Sequence, residues 1–218
     1  MIYSRDNPSP EYTGLIKEYE ELHKNGVANL PSKDTYNGRS TIIFADILKN
    51  IIDKNKCETL LDYGSGKGDR YYQESIGPDK LKSYPPLKNF WNIKPTLYDP
   101  GVPYPKPTDK KFDIVISIDV LEHIPNQDLR WVIDEIFNFS KKIVFLNIAC
   151  YSAIAKLTNN KNAHTSIFPP NWWYGFISAI ALNHNKKVFL ICTTKDKGDI
   201  KKVNYSSFVI NDDFNNYK

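Results

Sequence analysis

The 218 residues contain no Cys-x-x-Cys pair and no even set of cysteines; Cys57, Cys150 and Cys192 are all there are. That argues against a disulfide framework, and two of the three lie in apolar, strand-like runs, as reduced and buried thiols of a cytoplasmic protein would. No apolar run approaches the length that crosses a bilayer, and the polar, proline-bearing start MIYSRDNPSP lacks the apolar centre of a signal peptide. A soluble protein with no membrane partner is expected. Neither sign of charge dominates: the net charge is +4, carried by lysines along the whole chain. The pairs Lys110-Lys111, Lys141-Lys142, Lys186-Lys187 and Lys201-Lys202 each adjoin a predicted strand, so they read as solvated strand entrances rather than a nucleic-acid stripe. No internal repeat is evident. No metal-ligand spacing stands out either, because the four histidines are scattered and His23 and His184 sit in helical contexts.

The apolar content, 41%, and the length suit one domain with a sizeable core. Helical patterns cover residues 10–24 and 40–55, the second carrying Ile42, Ile43, Ala45, Ile47, Leu48, Ile51 and Ile52. Apolar strand candidates follow at 59–63, 96–99, 114–119, 143–148, 187–193 and 203–210. Helices are predicted at 128–139, with Asn126 as N-cap, and at 172–183. Strands that read apolar throughout and alternate with helices indicate a doubly wound α/β sheet covered on both faces. The last two strands flank KDKGDIK, a polar turn with Gly198, and so form an antiparallel hairpin. The proline-bearing stretches 77–95 and 101–111 read as insertions or lids.

Residues 60–69, LLDYGSGKGD, run a buried-strand pattern straight into Gly64, Gly66 and Gly68. Such a turn lets a ligand approach bare backbone, where a side chain at Gly64 or Gly66 would stand in the way. The spacing is Gly-x-Gly-x-Gly; a dinucleotide fingerprint would need its third glycine at position 69, which is Asp69, and the Walker pattern fails at Lys67-Gly68. Asp62 and Asp69 would sit badly beside a pyrophosphate but acceptably beside a cation. Two further strands end in acid, Asp99 in TLYDP and Asp119 in IVISIDVLEHIP, and ligands of open α/β sheets gather at such carboxyl ends.

Position by position, residues 60–68 resemble the first motif of the class I S-adenosylmethionine-dependent methyltransferases: an apolar strand, an acidic residue, then Gly-x-Gly-x-Gly. Residues 112–125, FDIVISIDVLEHIP, are similar to the fourth motif of the small-molecule type, phage or bacterial. The resemblance covers about 59–148 well and the rest loosely. It implies a Rossmann-like methyltransferase sheet, mostly parallel with the antiparallel C-terminal hairpin, and S-adenosylmethionine as cofactor, S-adenosylhomocysteine as product. One domain, 1–218, would comprise an N-terminal helical lid (1–56) and an α/β core (57–218). The interval after Asp99 is too short for the family's usual third strand, a departure that leaves the adenine contacts to a loop. Cofactor contacts are implied for Asp62, Gly64, Ser65, Gly66 and Gly68 of the first motif. Asp99, with Pro100 beside it, would bind the ribose hydroxyls, while Asp119 and Val120 would face the methionine half. Tyr104 is either a stacking face for adenine or a surface tyrosine in a proline loop.

Arg39, ahead of the second helix, either pairs with the cofactor carboxylate from the lid or is a surface arginine. Glu122 and His123 either orient substrate or, for His123, pack where the loop meets the next helix. His164, in NAHTSIFPPNWW, either takes a proton from the acceptor or hydrogen-bonds its own loop. Of Trp172 and Trp173, one belongs to the core and the other can face a substrate pocket. The aromatic-rich interval between Gly68 and Asp99 is either part of a substrate wall or a cap on the sheet edge.

The expected reaction is transfer of the sulfonium methyl to an oxygen or nitrogen of a small-molecule or glycan-like acceptor, a step that needs mainly positioning. Base methylation of DNA is disfavoured, since neither an Asp/Asn-Pro-Pro-Tyr/Phe strand end nor a Pro-Cys nucleophile occurs. The alternatives are a non-catalytic S-adenosylmethionine-binding module, or a protein or RNA methyltransferase, which would show a cationic groove. A dehydrogenase is disfavoured by the glycine spacing.

Overall fold

The computed structural model describes residues 2–26, 31–78, 80–154, 156–157, 160–196, 199 and 202–211. Its strands are β1 (Thr59–Tyr63), β2 (Ser75–Ile76), β3 (Ser83–Tyr84), β4 (Lys94–Tyr98), β5 (Phe112–Ile118), β6 (Ser140–Ala149), β7 (Lys187–Lys195) and β8 (Val203–Ile210). Six of them form one sheet in the order β4-β1-β5-β6-β7-β8, parallel except for the final β7–β8 pair. This is the α/β sheet with an antiparallel C-terminal hairpin that the apolar runs indicate. Beyond β4 the described residues add no further strand, so β4 is an edge. The hairpin turn around Gly198 lies largely outside the described residues.

The continuous apolar character of the strands has a simple origin. Successive side chains alternate between two buried clusters: Leu60, Ile114, Ile116 and Phe145 enter one, Leu61, Val115, Val144 and Leu146 the other. The second face is covered by α1 (Pro10–Asn25), α5 (Leu129–Phe139) and α6 (Pro170–Ala181). The first is covered by α2 (Arg39–Ile43), α3 (Ala45–Lys54) and α4 (Leu87–Phe90). Both faces are closed, so a ligand must enter at the strand ends.

Three local expectations change. The single helix predicted over 40–55 is broken at the buried Phe44, whose φ/ψ of −103°/9° separates α2 from α3. Asn126 does not cap the next helix: α5 begins at Leu129 with Asp128 in the cap position and no side-chain cap bond. The fully buried Asp128 carboxylate instead accepts from Ser9 N at 3.0 Å, Ser9 Oγ at 2.5 Å and Trp131 Nε1 at 2.8 Å. Ser9 in turn caps α1 by accepting from Tyr12 N, so one buried carboxylate pins α1 to α5. The insertion after Gly68 caps the sheet: Tyr84, Leu87 and Trp91 are buried in the α3 cluster, and Trp91 Nε1 donates to Ala45 O. No helix among the described residues is long and apolar enough to cross a membrane.

Candidate functional site

Three neighbouring parallel strands, β4, β1 and β5, end side by side, and each passes at once into a ligand-sized hollow: β4 into Asp99-Pro100-Gly101, β1 into the glycine turn, β5 into Asp119-Val120. The turn is held shut by its own amides. Gly64 N and Ser65 N donate to Tyr98 O (2.7 and 3.1 Å), Lys67 N to Tyr36 O (2.8 Å) and Gly68 N to Ser65 O (3.2 Å). Gly66 N donates to Asp99 Oδ2 at 2.9 Å, while Gly101 N donates to Asp99 Oδ1 at 2.8 Å. Gly64 and Gly66 have φ of +85° and +55°, and a Cβ there would run into the Val120 methyls and the Tyr36 carbonyl oxygen respectively. Glycine is therefore required by the packing of protein on the turn; the ligand-approach argument is not what the geometry displays.

The hollow is a cavity of about 410 Å³, within the range of small-molecule sites. Its floor is the turn, Asp99 and Asp119; its outer wall is α1, through Tyr12, Leu15, Ile16, Tyr19 and His23, together with Tyr36 to Thr41. The wall residues of α1 escaped the sequence reading, although positions 12, 15, 16, 19 and 23 recur at helical spacing, a stripe that signals a buried face. His23 Nε2 stands 3.8 Å from Asp99 Oδ1, and its ring lies 4.8 Å from that of Tyr36. Burial pushes the His23 pKa down and Asp99 opposes this; burial pushes Asp99 up, against His23 and the two backbone donors.

At the other end of the cavity Asp119 adopts φ +60°, its N–H donating to Asn147 O and its Oδ2 accepting from Ser40 Oγ at 3.1 Å. A left-handed conformation at a non-glycine residue is uncommon, and it breaks the extended line of β5 at Asp119. His123 follows on the same short turn (Leu121–His123), with Nδ1 2.7 Å from Tyr19 OH. Its ring meets that of His164 edge to face at 4.7 Å. Burial and the facing His164 hold the His123 pKa down to about 4, so the ring is neutral at pH 7. His164 arrives because Thr165 N and Ser166 N both donate to Glu122 O, and Ser166 Oγ to Ile124 O, tying its loop to the His123 turn. The histidines that are scattered along the sequence are thus brought together: Asp119, His123 and His164 each offer an atom within 4.8 Å of the others.

Of the residues singled out from sequence, Arg39, Gly64, Ser65, Gly66, Asp99, Pro100, Asp119, Val120 and His123 line this one cavity. The others do not. Asp62 lies buried behind the turn, accepting from Tyr71 OH at 2.9 Å, and burial raises its pKa to about 7. Gly68, at φ +62°, serves a short helical turn and packs on Leu97. Tyr104 donates its hydroxyl to Lys67 O at 2.7 Å and lines a neighbouring cavity of about 350 Å³. Glu122 is wholly buried, with Oε1 accepting from Ala149 N at 2.6 Å, and burial beside Asp119 raises its pKa well above the usual range. His164 stands behind His123, Nδ1 to Tyr151 O at 2.5 Å. Trp173 is core, and Trp172 stacks between Phe168 (3.8 Å) and Phe176 (4.9 Å) instead of facing the cavity.

Neither protein-family models nor curated proteins give a match to the chain. Among solved structures it is similar to an O-methyltransferase family protein from Burkholderia thailandensis, with 14% identity and a TM-score of 0.37 over 92% of this chain and 72% of that one. An overlap of that size leaves the site's own geometry as the ground for function.

Proposed function

We propose that the chain is an S-adenosylmethionine-dependent methyltransferase acting on an oxygen or nitrogen of a small-molecule acceptor. The observation that carries this is the spent glycine turn: its five amides, Gly64 to Gly68, all donate within the protein. A phosphate-binding turn presents free N–H groups to an anion; this one presents none, beside the carboxylates of Asp99 and Asp119. The site suits a nucleoside that carries positive charge and no phosphate.

The residues present fit that cofactor. Each Asp99 oxygen accepts one backbone N–H and keeps a second lone pair for a ribose hydroxyl. Tyr12, Leu15, Ile16 and Ile118 give apolar cover, and Tyr19 and Tyr36 offer aromatic faces that attract a sulfonium. Arg39 is the guanidinium on the wall and is assigned the amino-acid carboxylate. S-Adenosylmethionine supplies a methyl on a good leaving group, so the chain's task is to align an acceptor, exclude water and receive a proton where the acceptor has one to lose. Asp119 and the neutral His123, at the end of the cavity away from Asp99, are placed to receive it. Three free thiols fit a reducing compartment, the cytoplasm.

The test is calorimetric titration of the folded protein with S-adenosylmethionine, S-adenosylhomocysteine and NAD. Binding of both adenosyl compounds and not of NAD is expected. Binding of NAD alone, or of none of the three, overturns the proposal.

A further inference from the structure

His123 and His164 each have Nδ1 set against a backbone carbonyl, and His123 Nδ1 also lies 2.7 Å from the Tyr19 hydroxyl. His123 Nδ1 lies 3.0 Å from the Ala163 carbonyl oxygen, and His164 Nδ1 lies 2.5 Å from that of Tyr151. The Tyr151 carbonyl has no proton to give, so His164 Nδ1 is the donor there; His123 Nδ1 is engaged by the Ala163 carbonyl and the Tyr19 hydroxyl, and in both rings Nε2 is the nitrogen left for a ligand. This is the arrangement in which histidines ligate metals: the second nitrogen donates to a carbonyl that fixes tautomer and orientation.

Asp119 completes a set whose donor atoms fall within 4.8 Å of one another, compatible with a single ion between them. Asp119 and His123 both line the cavity, so an ion held there has a side open to it. Behind them the Glu122 carboxyl is wholly buried, and its Oε1 accepts from Ala149 N, which holds the turn that carries His123. None of the ion pairs among the described residues involves Asp119 or Glu122.

We propose that Asp119, His123 and His164 form a binding site for one divalent transition-metal cation, with its remaining positions open to the cavity. Two imidazoles and one carboxylate suit Zn²⁺, Fe²⁺ or Co²⁺ rather than Ca²⁺ or Mg²⁺, which take oxygen. The consequence for the acceptor rests on the methyltransferase reading: it is a hydroxyl compound bound through its oxygen. On coordination the hydroxyl gives its proton to solvent water; with the cation bound, His123 serves as a ligand and no longer as the proton acceptor. Its oxygen then forms a bond to the methyl carbon as the carbon–sulfur bond breaks, the electron pair staying on sulfur.

The experiment uses chelator-treated, dialysed full-length protein titrated with Co²⁺, read by visible d–d absorption, with Zn²⁺ competition by calorimetry. One Co²⁺ per chain, displaced by Zn²⁺, is expected. His164→Asn and His123→Asn keep a donor for the Tyr151 and Ala163 carbonyls but remove the Nε2 lone pair. Each should weaken Co²⁺ binding by more than the ~10–100-fold that losing an outer-shell partner costs. His184→Asn, at the Asp134 pair, should leave it unchanged. Absence of Co²⁺ and Zn²⁺ binding by folded protein, or binding indifferent to both histidine substitutions, overturns the site. S-Adenosylhomocysteine titration of the same samples separates the two ideas: adenosyl binding without metal binding refutes the cation site alone, and metal binding without adenosyl binding refutes the methyltransferase reading alone.

Discussion

Replacing Asp62 by asparagine removes a carboxyl that β1 buries at the foot of the glycine turn, where it accepts from Tyr71 OH. Burial, joined by the Asp99 charge, raises its pKa from the ordinary 3.8 to about 7, although the Tyr71 hydrogen bond pulls the other way. Between those values the folded protein holds a proton that the unfolded chain has shed. Stability from this group is therefore present below about pH 4 and is lost as pH rises towards 7. The loss runs at about 1.4 kcal/mol per pH unit and totals on the order of 4 kcal/mol.

In the Asp62→Asn variant the side-chain amide would still accept from Tyr71 and has no charge to desolvate, so the variant lacks that slope. Its new NH₂ needs an acceptor, which adds an offset independent of pH. Urea unfolding of both proteins at pH 5, 6, 7 and 8 measures the difference directly, with all shared titrations cancelling. The variant should gain on the native protein by roughly 1.4 kcal/mol per unit from pH 5 to near 7, then level off. A gap that stays constant with pH would show that Asp62 is charged and solvated, and would return it to the ligand side of the turn.

Two further substitutions separate turn from core. Gly66→Ala forces a Cβ onto the Tyr36 carbonyl at φ +55° and should cost on the order of 2 kcal/mol or more, with S-adenosylhomocysteine affinity falling as the wall at Tyr36 shifts; equal melting temperatures would refute it. Trp173→Ala should cost about 3–5 kcal/mol in chemical denaturation while sparing adenosyl binding, since Trp173 is fully buried on the core face of α6 and away from the cavity; a loss of affinity with unchanged stability would reverse that assignment.

The strands were readable because their signal is local. Leu60-Leu61 and Ile114-Val115-Ile116 must be apolar at every position when each neighbour enters a different cluster, and a covered parallel sheet is what that demands. The antiparallel hairpin was readable for the same reason, from two apolar runs around a polar turn. What escaped depends on partners distant in sequence. Asn126 satisfies a local capping rule, but the helix start is set by Asp128, whose carboxylate is claimed by Ser9 on α1. That claim also lays α1 over the strand ends, which makes Tyr19 and His23 cavity residues.

The histidine pair shows the same limit more sharply. Local spacing gives no ligand pattern, because His123 and His164 belong to different loops and meet only through Thr165 N and Ser166 N bonding to Glu122 O. The two backbone bonds cost no side chain, so no residue type marks them. Glu122 is thus a double anchor: its main-chain oxygen fixes the His164 loop, and its carboxylate takes Ala149 N at the end of β6. A DVLEH stretch that resembles a family motif in one dimension acts in three as the joint that closes the Asp119 end of the cavity, and the loop it recruits is the part no local pattern could announce.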